Sequence, residues 1–404
     1  MTLPIVIVGA GQAAASFIAK LRHENYSGPI ILIGEESHLP YQRPPLSKKY
    51  LLGELTLDRL YLRPLAWYED NHVTLMLSTK VVQVTPESQQ ILLDSGETID
   101  YSKLLLATGS TPHRLPQAIG GHLAGVYTLR DLADVDQMKA EFQAGRKLLI
   151  IGGGYIGLEA AAVAAGLGLE VTVIELAERI LKRVAAPATS DYFRALHQSN
   201  GVTILENTGL ESLIEAEGRV ATAKFSNGNQ LAVDFVITGI GVAPNGQLAT
   251  AAGLTVDNGI ATDLQSRTSD NHIYSAGDCA SFEYQGSQIR LESVQNAVDQ
   301  AENAAAHLLG EDVVYQPIPW FWSDQFKTKL QIAGLNLGYT DTVTRLGKRE
   351  GSQSVWYYQG DTLLAIDAMN DPIAYAMGRK ILAAGKSPSK TQIIDLTVNL
   401  KDLV

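Results

Sequence analysis

The stretch from Pro4 to Ala14 reads Pro-Ile-Val-Ile-Val-Gly-Ala-Gly-Gln-Ala-Ala, four β-branched residues followed at once by a glycine turn. The apolar run predicts a buried strand of a parallel sheet, and the small residues after it predict a helix over 13–24. Gly9 allows the sharp turn, Gly11 lets the backbone approach a phosphate, and Ala14 lets the helix pack closely on the strand. The stretch therefore predicts a phosphate-binding turn between a strand and a helix.

A second copy of this plan follows about 140 residues further along the chain, which indicates an internal duplication. Residues 148–151 again predict a strand and residues 156–166 a helix, and the turn between them is Gly-Gly-Gly-Tyr-Ile-Gly. Its key glycines are Gly152, Gly154 and Gly157. In each copy the next strand ends beside an acid, Glu35 or Glu175, about 20 residues after the turn, where a carboxylate can accept hydrogen bonds from a ribose diol.

Two such units predict two bound dinucleotides and the transfer of a hydride or electrons between them. Glu175 would repel a 2′-phosphate, and Leu176, Ala177 and Glu178 follow it, so no arginine stands directly after it. Arg179, four residues on, resembles a phosphate-binding arginine by its charge alone. The pattern favours NADH over NADPH as the second dinucleotide.

The cysteine count restricts the chemistry, because Cys279 is the single cysteine of the 404 residues. An intramolecular disulfide, a two-cysteine redox mechanism and a cysteine-built zinc or iron–sulfur site are therefore excluded. One thiol in a chain of this length predicts a reducing compartment, and we expect a cytoplasmic protein.

The charge and the apolar segments argue against two further classes of partner. The net charge of −11 disfavours general binding to nucleic acid or to an anionic membrane. Residues 147–175 are apolar, but a glycine cluster and Glu159 interrupt them, so they predict a buried strand–helix–strand unit instead of a membrane span. The N-terminal residues have no basic segment, and we expect no secretory signal.

Alternating patterns predict antiparallel hairpins over residues 73–100 and 202–236. After Pro317 the composition changes to an aromatic cluster, strand-like residues 355–369 and a helix that begins near Ala374, which predicts a C-terminal domain. The overall fold class is α/β.

Four further motifs are similar to those of the pyridine-nucleotide-dependent flavoprotein oxidoreductases. Within that group they most resemble the NADH-dependent ferredoxin reductases that serve bacterial oxygenases. The motifs are Arg-Pro-Pro-Leu-Ser-Lys at 43–48, Leu-Ala-Thr-Gly-Ser at 106–110, Ser-Ala-Gly-Asp-Cys at 275–279 and Pro-Trp-Phe-Trp-Ser-Asp-Gln at 319–325.

This resemblance implies two Rossmann-like, three-layer dinucleotide-binding domains of the glutathione-reductase type and a C-terminal α+β domain that covers the flavin. The FAD-binding domain would be discontinuous, over 1–108 and 241–317. The NAD-binding domain would occupy 109–240 and the C-terminal domain 318–404. The cofactors implied are FAD and NADH.

The resemblance also implies roles for individual residues. Lys48 would lie near flavin N5 and pair with Glu159, and Trp322, in preference to Trp320, would lie beside the flavin. Outside this context Lys48 reads as a solvated surface lysine and the tryptophans as core aromatics. The implied FAD-binding residues are Gly9, Gly11, Ala14, Glu35, Arg43, Lys48, Thr108, Gly109, Gly277, Asp278, Glu292, Ser293, Val294 and Trp322. Those for NADH are Gly152, Gly154, Gly157, Glu159 and Glu175.

Without a second thiol, electrons from the reduced flavin must pass directly to an external acceptor, and the resemblance implies an acidic 2Fe–2S ferredoxin. An acidic reductase then needs a local basic face for docking. The candidates are Arg59, Arg63, Arg290, Lys327 and Lys329. An NADH oxidase, a rubredoxin reductase, a nitrite-reductase component and a slow redox-sensing protein are the alternatives, and we expect a monomer.

Overall fold

The computed structural model describes residues 2–404, which divide into two compact units. Unit 1 consists of the N-terminal residues up to Arg43, Leu55–Thr111 and Val242–Pro317. Unit 2 consists of Pro44–Glu54, Pro112–Gly241 and Ile318–Val404. The C-terminal segment Ile318–Val404 thus lies in the same compact unit as Pro112–Gly241. The predicted division into an FAD-binding, an NAD-binding and a C-terminal domain stays a prediction.

Unit 1 is built on a parallel five-stranded sheet whose central strand is the apolar run that opens the sequence. Val6 of that strand pairs with Ile31 on one side and Leu104 on the other. Both faces are covered, which explains the absence of polar residues in the strand. In spatial order the strands are Ile273–Ser275, Lys103–Leu106, Ile5–Val8, Ile30–Ile33 and Val73–Met76.

The remaining elements of unit 1 surround this sheet. An antiparallel sheet contains Val81–Thr85, Gln90–Leu93 and Thr98–Asp100, and a mixed one contains Ile260–Thr262, Ala280–Tyr284 and Ser287–Ile289. Ser110–Pro112 pairs with Val242–Pro244. The helices are Gln12–His23, Leu57–Leu60, Leu65–Asp70, Gln247–Ala251 and Val294–Leu308, with a 3-10 turn at Pro86–Ser88.

Unit 2 contains a second parallel five-stranded sheet. Its strands, in spatial order, are Thr203–Leu205, Glu170–Ile174, Lys147–Ile151, Phe235–Thr238 and Val126–Thr128. Between the strands Thr203–Leu205 and Phe235–Thr238 the chain forms a separate antiparallel sheet. Its strands are Leu210–Ala216, Arg219–Phe225 and Gln230–Ala232. The helices of this part are Leu132–Met138, Tyr155–Gly166 and Pro187–Ser199, with 3-10 turns at Pro44–Ser47, Gln117–Ile119 and Lys139–Glu141.

The C-terminal part of unit 2 is an antiparallel five-stranded sheet. In spatial order its strands are Trp320–Gln325, Thr328–Gly334, Thr362–Met369, Gln353–Gln359 and Asp341–Leu346. Helices Pro372–Ala383 and Lys390–Ile394 and a 3-10 turn at Leu400–Leu403 complete it. Leu158 and Phe193 form one buried cluster with Leu330, Tyr357 and Met369, so this sheet shares a core with two helices of the second parallel sheet.

Both predicted hairpin regions were too long. Val73–Met76 is the edge strand of the first parallel sheet, paired with Ile30–Ile33, and the antiparallel part begins only at Val81. Likewise Thr203–Leu205 and Phe235–Thr238 belong to the second parallel sheet, on either side of an antiparallel insertion. The helix predicted near Ala374 begins at Pro372.

Candidate functional site

The first glycine turn has the backbone geometry that a strand-to-helix crossover requires. Gly9 has φ +106°, and a Cβ there would stand 2.1 Å from the Ala107 carbonyl oxygen, so a larger residue is excluded. Gly11 precedes the helix Gln12–His23, and a Cβ on it would meet nothing within 4 Å. Ala14 is buried in the helix–sheet contact. The turn therefore leaves open space beside Gly11 for a ligand.

The second glycine turn repeats this geometry. Gly152 has φ +105°, with its added Cβ 2.4 Å from the Gly239 carbonyl oxygen. A Cβ on Gly154, which precedes the helix Tyr155–Gly166, would again meet nothing within 4 Å. At Gly157 it would stand 2.3 Å from the Gly152 carbonyl oxygen, so the helix packs closely on the turn. The duplication seen in the sequence is thus a duplication of geometry.

Both helices that follow these turns begin without a side-chain cap and without an acid in the first turn. Other helices are capped: the side chains of Asp131, Ser293 and Asp371 each accept a hydrogen bond from a backbone N–H of the first turn. An uncapped N-terminus leaves N–H donors that suit an anion. Both turns therefore fit the pyrophosphate of a dinucleotide.

The two acids predicted to bind ribose are placed differently. Glu35 is exposed and lies 3.3 Å from the ammonium of Lys80. The Glu175 carboxylate accepts hydrogen bonds of 2.8 Å from the N–H groups of Gly153 and Ala177. A negative charge is therefore held directly beside the second turn, where it disfavours an additional phosphate.

The hydrogen bonds of Arg179 go to groups other than Glu175. Its guanidinium donates to Ser190 Oγ at 2.6 Å and to the Lys182 carbonyl oxygen at 3.4 Å. Ser190 is fully buried and donates in turn to the Ile180 carbonyl oxygen. Arg179, the first arginine after Glu175 in the sequence, is thus engaged within the protein.

In unit 1, the segment of the 106–110 motif contacts two other segments. Thr108 Oγ1 donates to the Asn245 carbonyl oxygen at 2.6 Å, and the Asn245 amide donates back to the Thr108 carbonyl oxygen at 2.8 Å. Gly109 has φ +67°. Ser110 Oγ donates to Asp278 at 3.0 Å, which joins the 106–110 and 275–279 motifs. Asn245 was not predicted, although Pro-Asn-Gly is a turn signal.

Gly277, in the 275–279 motif, packs beside the first glycine turn. It has φ +83°, its added Cβ would stand 3.3 Å from the Ala13 Cβ, and its N–H donates to Gln300 Oε1 at 3.0 Å. The helix after it starts at Val294. Ser293 Oγ caps that helix by accepting from the Asn296 N–H at 3.1 Å, so one backbone donor of its first turn is already satisfied within the protein.

Two arginines of unit 1 form ion pairs with neighbouring acids. Arg43 lies 2.5 Å from Glu36, whose other oxygen accepts from the Tyr41 hydroxyl at 2.5 Å. Arg290 lies 2.5 Å from Glu292, and its side chain is only 10% exposed. The prediction that Arg290 helps to form an exposed basic face is therefore wrong, because the guanidinium is buried and paired.

In unit 2, Lys48 and Glu159 lie together. Lys48 Nζ is 3.0 Å from Glu159 Oε1, and the two side chains are 19% and 8% exposed. Ser47 Oγ donates to Oε2 at 3.0 Å and Ser323 Oγ to Oε1 at 2.8 Å. Three donors from two segments thus converge on one buried carboxylate. Neither serine was predicted, although both stand within the quoted motifs.

The tryptophans lie on the other face of the strand that carries Ser323. Trp320 and Trp322 are half-buried neighbours with ring centroids 5.6 Å apart, and the Arg379 guanidinium lies 5.5 Å from the Trp320 ring centroid. Strand alternation therefore separates both indoles from the Glu159 carboxylate. The choice of Trp322 over Trp320 as the flavin neighbour stays a prediction.

The single cysteine is fully buried, with Sγ 3.5 Å from the carbonyl oxygens of Leu106 and Ala276. Across residues 2–404, no group of three or more histidine, cysteine or acidic side chains has an arrangement that could hold a metal ion. No helix in the same range is both long enough and apolar enough to cross a membrane.

The pyridine nucleotide-disulphide oxidoreductase family matches residues 3–301, and the family described as reductase C-terminal matches residues 320–404. The chain belongs to the pyridine nucleotide-disulphide oxidoreductase family.

Among individual relatives, rhodocoxin reductase of Rhodococcus erythropolis is 40% identical over 401 residues, covering 99% of this chain and 94% of that protein. The solved covalent putidaredoxin reductase–putidaredoxin complex matches with a TM-score of 0.96 and 38% identity over 99% of this chain and 97% of that one. A ferredoxin reductase of Rhodopseudomonas palustris matches with a TM-score of 0.95 and 41% identity over 99% of both chains. The predicted resemblance and fold class are confirmed.

Proposed function

We propose that this protein is an FAD-dependent NADH:ferredoxin reductase that delivers single electrons to a 2Fe–2S ferredoxin of an oxygenase system. The observation that carries the proposal is the pair of uncapped glycine turns, one on each parallel sheet. Bound FAD would supply the ability to accept a hydride from NADH and to release electrons one at a time. The chain supplies binding, orientation and electrostatics.

The two dinucleotides are assigned to the two parallel sheets. Gly9, Gly11 and Ala14 would hold the FAD pyrophosphate, with Glu35 on its ribose and Asp278 on the ribityl–phosphate part. Gly152, Gly154 and Gly157 would hold NADH, with Glu175 on its ribose. The anionic Glu175, held beside the turn by two N–H donors, supports NADH over NADPH because it would lie against a 2′-phosphate.

Cys279 supports direct electron transfer to an outside acceptor. It is the single thiol, it is fully buried, and it lies among backbone carbonyl groups. A buried thiol without a partner cysteine cannot relay electrons by forming and breaking a disulfide. The chain therefore offers no thiol relay between a bound flavin and an outside acceptor. The roles of Lys48 at flavin N5 and of Trp322 beside the ring remain predictions of the resemblance.

The acceptor is an acidic ferredoxin that docks on a basic patch. Lys327 lies at the tip of the hairpin between Trp320–Gln325 and Thr328–Gly334, and Lys329 lies two residues on; both are exposed. On a protein with a net charge of −11, two exposed lysines beside the aromatic strand provide local complementarity to an acidic partner.

The double variant K327E/K329E tests this docking site. We expect the KM for an acidic 2Fe–2S ferredoxin to rise roughly tenfold at low salt, because two attractions become repulsions, with the difference shrinking as salt is added. NADH-dependent reduction of ferricyanide should stay unchanged. K348E, at an exposed lysine of a different hairpin, is the matched control. Equal losses with both acceptors would refute the docking role.

Acceptor preference separates this function from its alternatives. We expect fast cytochrome c reduction by NADH only when a ferredoxin is added. Rapid oxygen consumption without any carrier would indicate an NADH oxidase, and a preference for rubredoxin would indicate a rubredoxin reductase. A long-lived charge-transfer complex with poor turnover on every acceptor would indicate a redox sensor. We further propose a cytoplasmic location, since a single buried thiol suits a reducing compartment, and, separately, a monomer.

A further inference from the structure

A chain of buried hydrogen bonds runs through unit 2 from Glu159 to His197. Ser323 Oγ donates to Glu159 Oε1 at 2.8 Å, and the Gln325 amide nitrogen donates to Ser323 Oγ at 3.1 Å. Gln325 Oε1 is 2.8 Å from His197 Nε2. All four side chains are buried. The chain thus connects the carboxylate that binds Lys48 to a histidine that does not touch Lys48.

The ionised carboxylate determines the direction of every bond in this chain. Ser323 has one hydroxyl proton, and it points to Glu159, so the serine oxygen accepts from the Gln325 amide. The Gln325 carbonyl oxygen therefore faces His197, and His197 Nε2 must carry the proton. Ser323 and Gln325 each donate toward Glu159 and accept from the next residue, and His197 donates only.

His197 is suited to be the neutral end of this chain. Its Nδ1 has no hydrogen-bond partner among residues 2–404, so an imidazolium would bury an N–H group without an acceptor. Burial lowers the pKa of His197 below its ordinary value, against the smaller opposing effect of Gln325. The histidine therefore stays neutral near pH 7 and donates through Nε2.

We propose that Gln325 and His197 are positioning residues that hold Ser323, and through it Glu159, in the orientation that binds Lys48. Gln325 and Ser323 stand two residues apart on one strand face, and His197 is on the helix Pro187–Ser199 opposite. Without Gln325 the Ser323 hydroxyl is free to rotate, and Glu159 Oε1 loses a fixed donor. The consequence for flavin reduction rests on the proposed function.

The first test measures how firmly Lys48 is held, independently of activity. The FAD-loaded protein is trace-labelled with acetic anhydride, and acetylation of Lys48 is compared with that of the exposed Lys348 by peptide mass spectrometry. In Q325L and H197F we expect labelling of Lys48 to rise roughly threefold, the size expected for losing part of one hydrogen bond to a charged group. H197Q, whose amide nitrogen can replace Nε2, should restore the original value.

A matched control comes from a second buried cluster between the same helix and the same sheet. Tyr357 accepts from the Ala186 N–H at 2.9 Å and donates to Asp367, which also accepts from Thr189 at 2.7 Å. Y357F should lower stability as much as Q325L does, yet leave Lys48 labelling unchanged. Labelling that is unchanged in Q325L, or raised equally in Y357F, would overturn the inference.

The second test measures the rate of flavin reduction at saturating NADH by stopped-flow absorbance. We expect Q325L and H197F to be roughly three- to tenfold slower with an unchanged Kd for NADH, and H197Q and Y357F to match the parent. A rate unchanged in Q325L would overturn the inference. Should Q325L and H197F fail to fold, S323A removes the donor to Glu159 that Gln325 is proposed to hold in place, and unchanged labelling of Lys48 in S323A would overturn the inference. A labelling pattern as expected in a protein that reduces no ferredoxin would contradict the proposed function alone.

Discussion

The hydroxyl of Tyr357 donates to Asp367 Oδ2 in the fully buried space between the C-terminal sheet and the helix Pro187–Ser199. Thr189 Oγ1 donates to the same oxygen at 2.7 Å. The other oxygen, Oδ1, has no partner among residues 2–404. Burial therefore outweighs the two hydrogen bonds and raises the pKa of Asp367 to about 6.

This raised pKa predicts a loss of stability as pH rises. The folded state favours the neutral carboxyl, so its contribution is complete below the ordinary pKa of 3.8 and is lost as pH passes about 6. The total is about 3 kcal/mol, from 1.36 kcal/mol per pKa unit. Urea unfolding of the parent and of D367N across this window should show the parent losing stability relative to D367N.

Asp134 and Glu302 also have raised pKa values, but both residues are present in the parent and in D367N. The difference between the stability curves of the parent and D367N therefore reports Asp367 alone. A difference that does not change with pH would show that folding leaves the pKa of Asp367 at its ordinary value.

Removing Glu159 should destabilise unit 2. E159A leaves Lys48, Ser47 and Ser323 without their shared acceptor. Breaking a fully buried pair costs about 3–5 kcal/mol, and because Lys48 keeps some contact with water we expect roughly 2–3 kcal/mol. Urea unfolding measures it. The control is E178A, which removes an exposed acid 3.4 Å from Lys182 and should change the free energy of unfolding by less than about 0.5 kcal/mol. Equal losses of stability in E159A and E178A would contradict the importance of burial.

The two open glycines should separate the two cofactors. A Cβ on Gly11 or Gly154 would meet nothing within 4 Å, so the valines of G11V and G154V extend into the space proposed for a pyrophosphate. We expect G11V to be purified without its yellow colour. G154V should keep FAD but bind NADH at least roughly tenfold more weakly by titration calorimetry. Normal content of FAD in G11V would place the first cofactor elsewhere.

Glu175 should control the choice of coenzyme. E175S removes the negative charge beside the second turn and keeps a hydrogen-bonding side chain. We expect kcat/KM with NADPH to rise roughly tenfold, because removing a charge repulsion of about 1.4 kcal/mol has that effect on a rate constant. We expect kcat/KM with NADH to fall. E178S is the control at an exposed acid nearby. A parent protein that already prefers NADPH would contradict the coenzyme assignment.

The two parallel-sheet units were predictable because their signals are local. Gly9 and Gly152 each follow a buried apolar strand and precede a helix, and the structure places both at positive φ against a neighbouring carbonyl group. The strands Val73–Met76 and Thr203–Leu205 were misassigned to hairpins. They are short edge strands of four and three residues, each with one open side, and a segment this short does not show whether its strand pairs in a parallel or an antiparallel sheet.

The polar contacts of the site were only partly predictable. The pairing of Lys48 with Glu159 followed from the resemblance. His197 and Gln325 lie 128 residues apart in the chain, and neither stands in a pattern that indicates a partner. Such contacts depend on how the C-terminal sheet packs against the helix Pro187–Ser199, which is a tertiary property that periodicity does not report.

The burial of Cys279 has a practical consequence. With its sulfur enclosed by the carbonyl groups of Leu106 and Ala276, the folded protein presents no native sulfhydryl to maleimide or methanethiosulfonate reagents. A cysteine introduced at an exposed position, such as Lys348, would be the one reactive point on the surface. Fluorophores, spin labels or electrode tethers could then be attached at a chosen place without first replacing any residue of the parent chain.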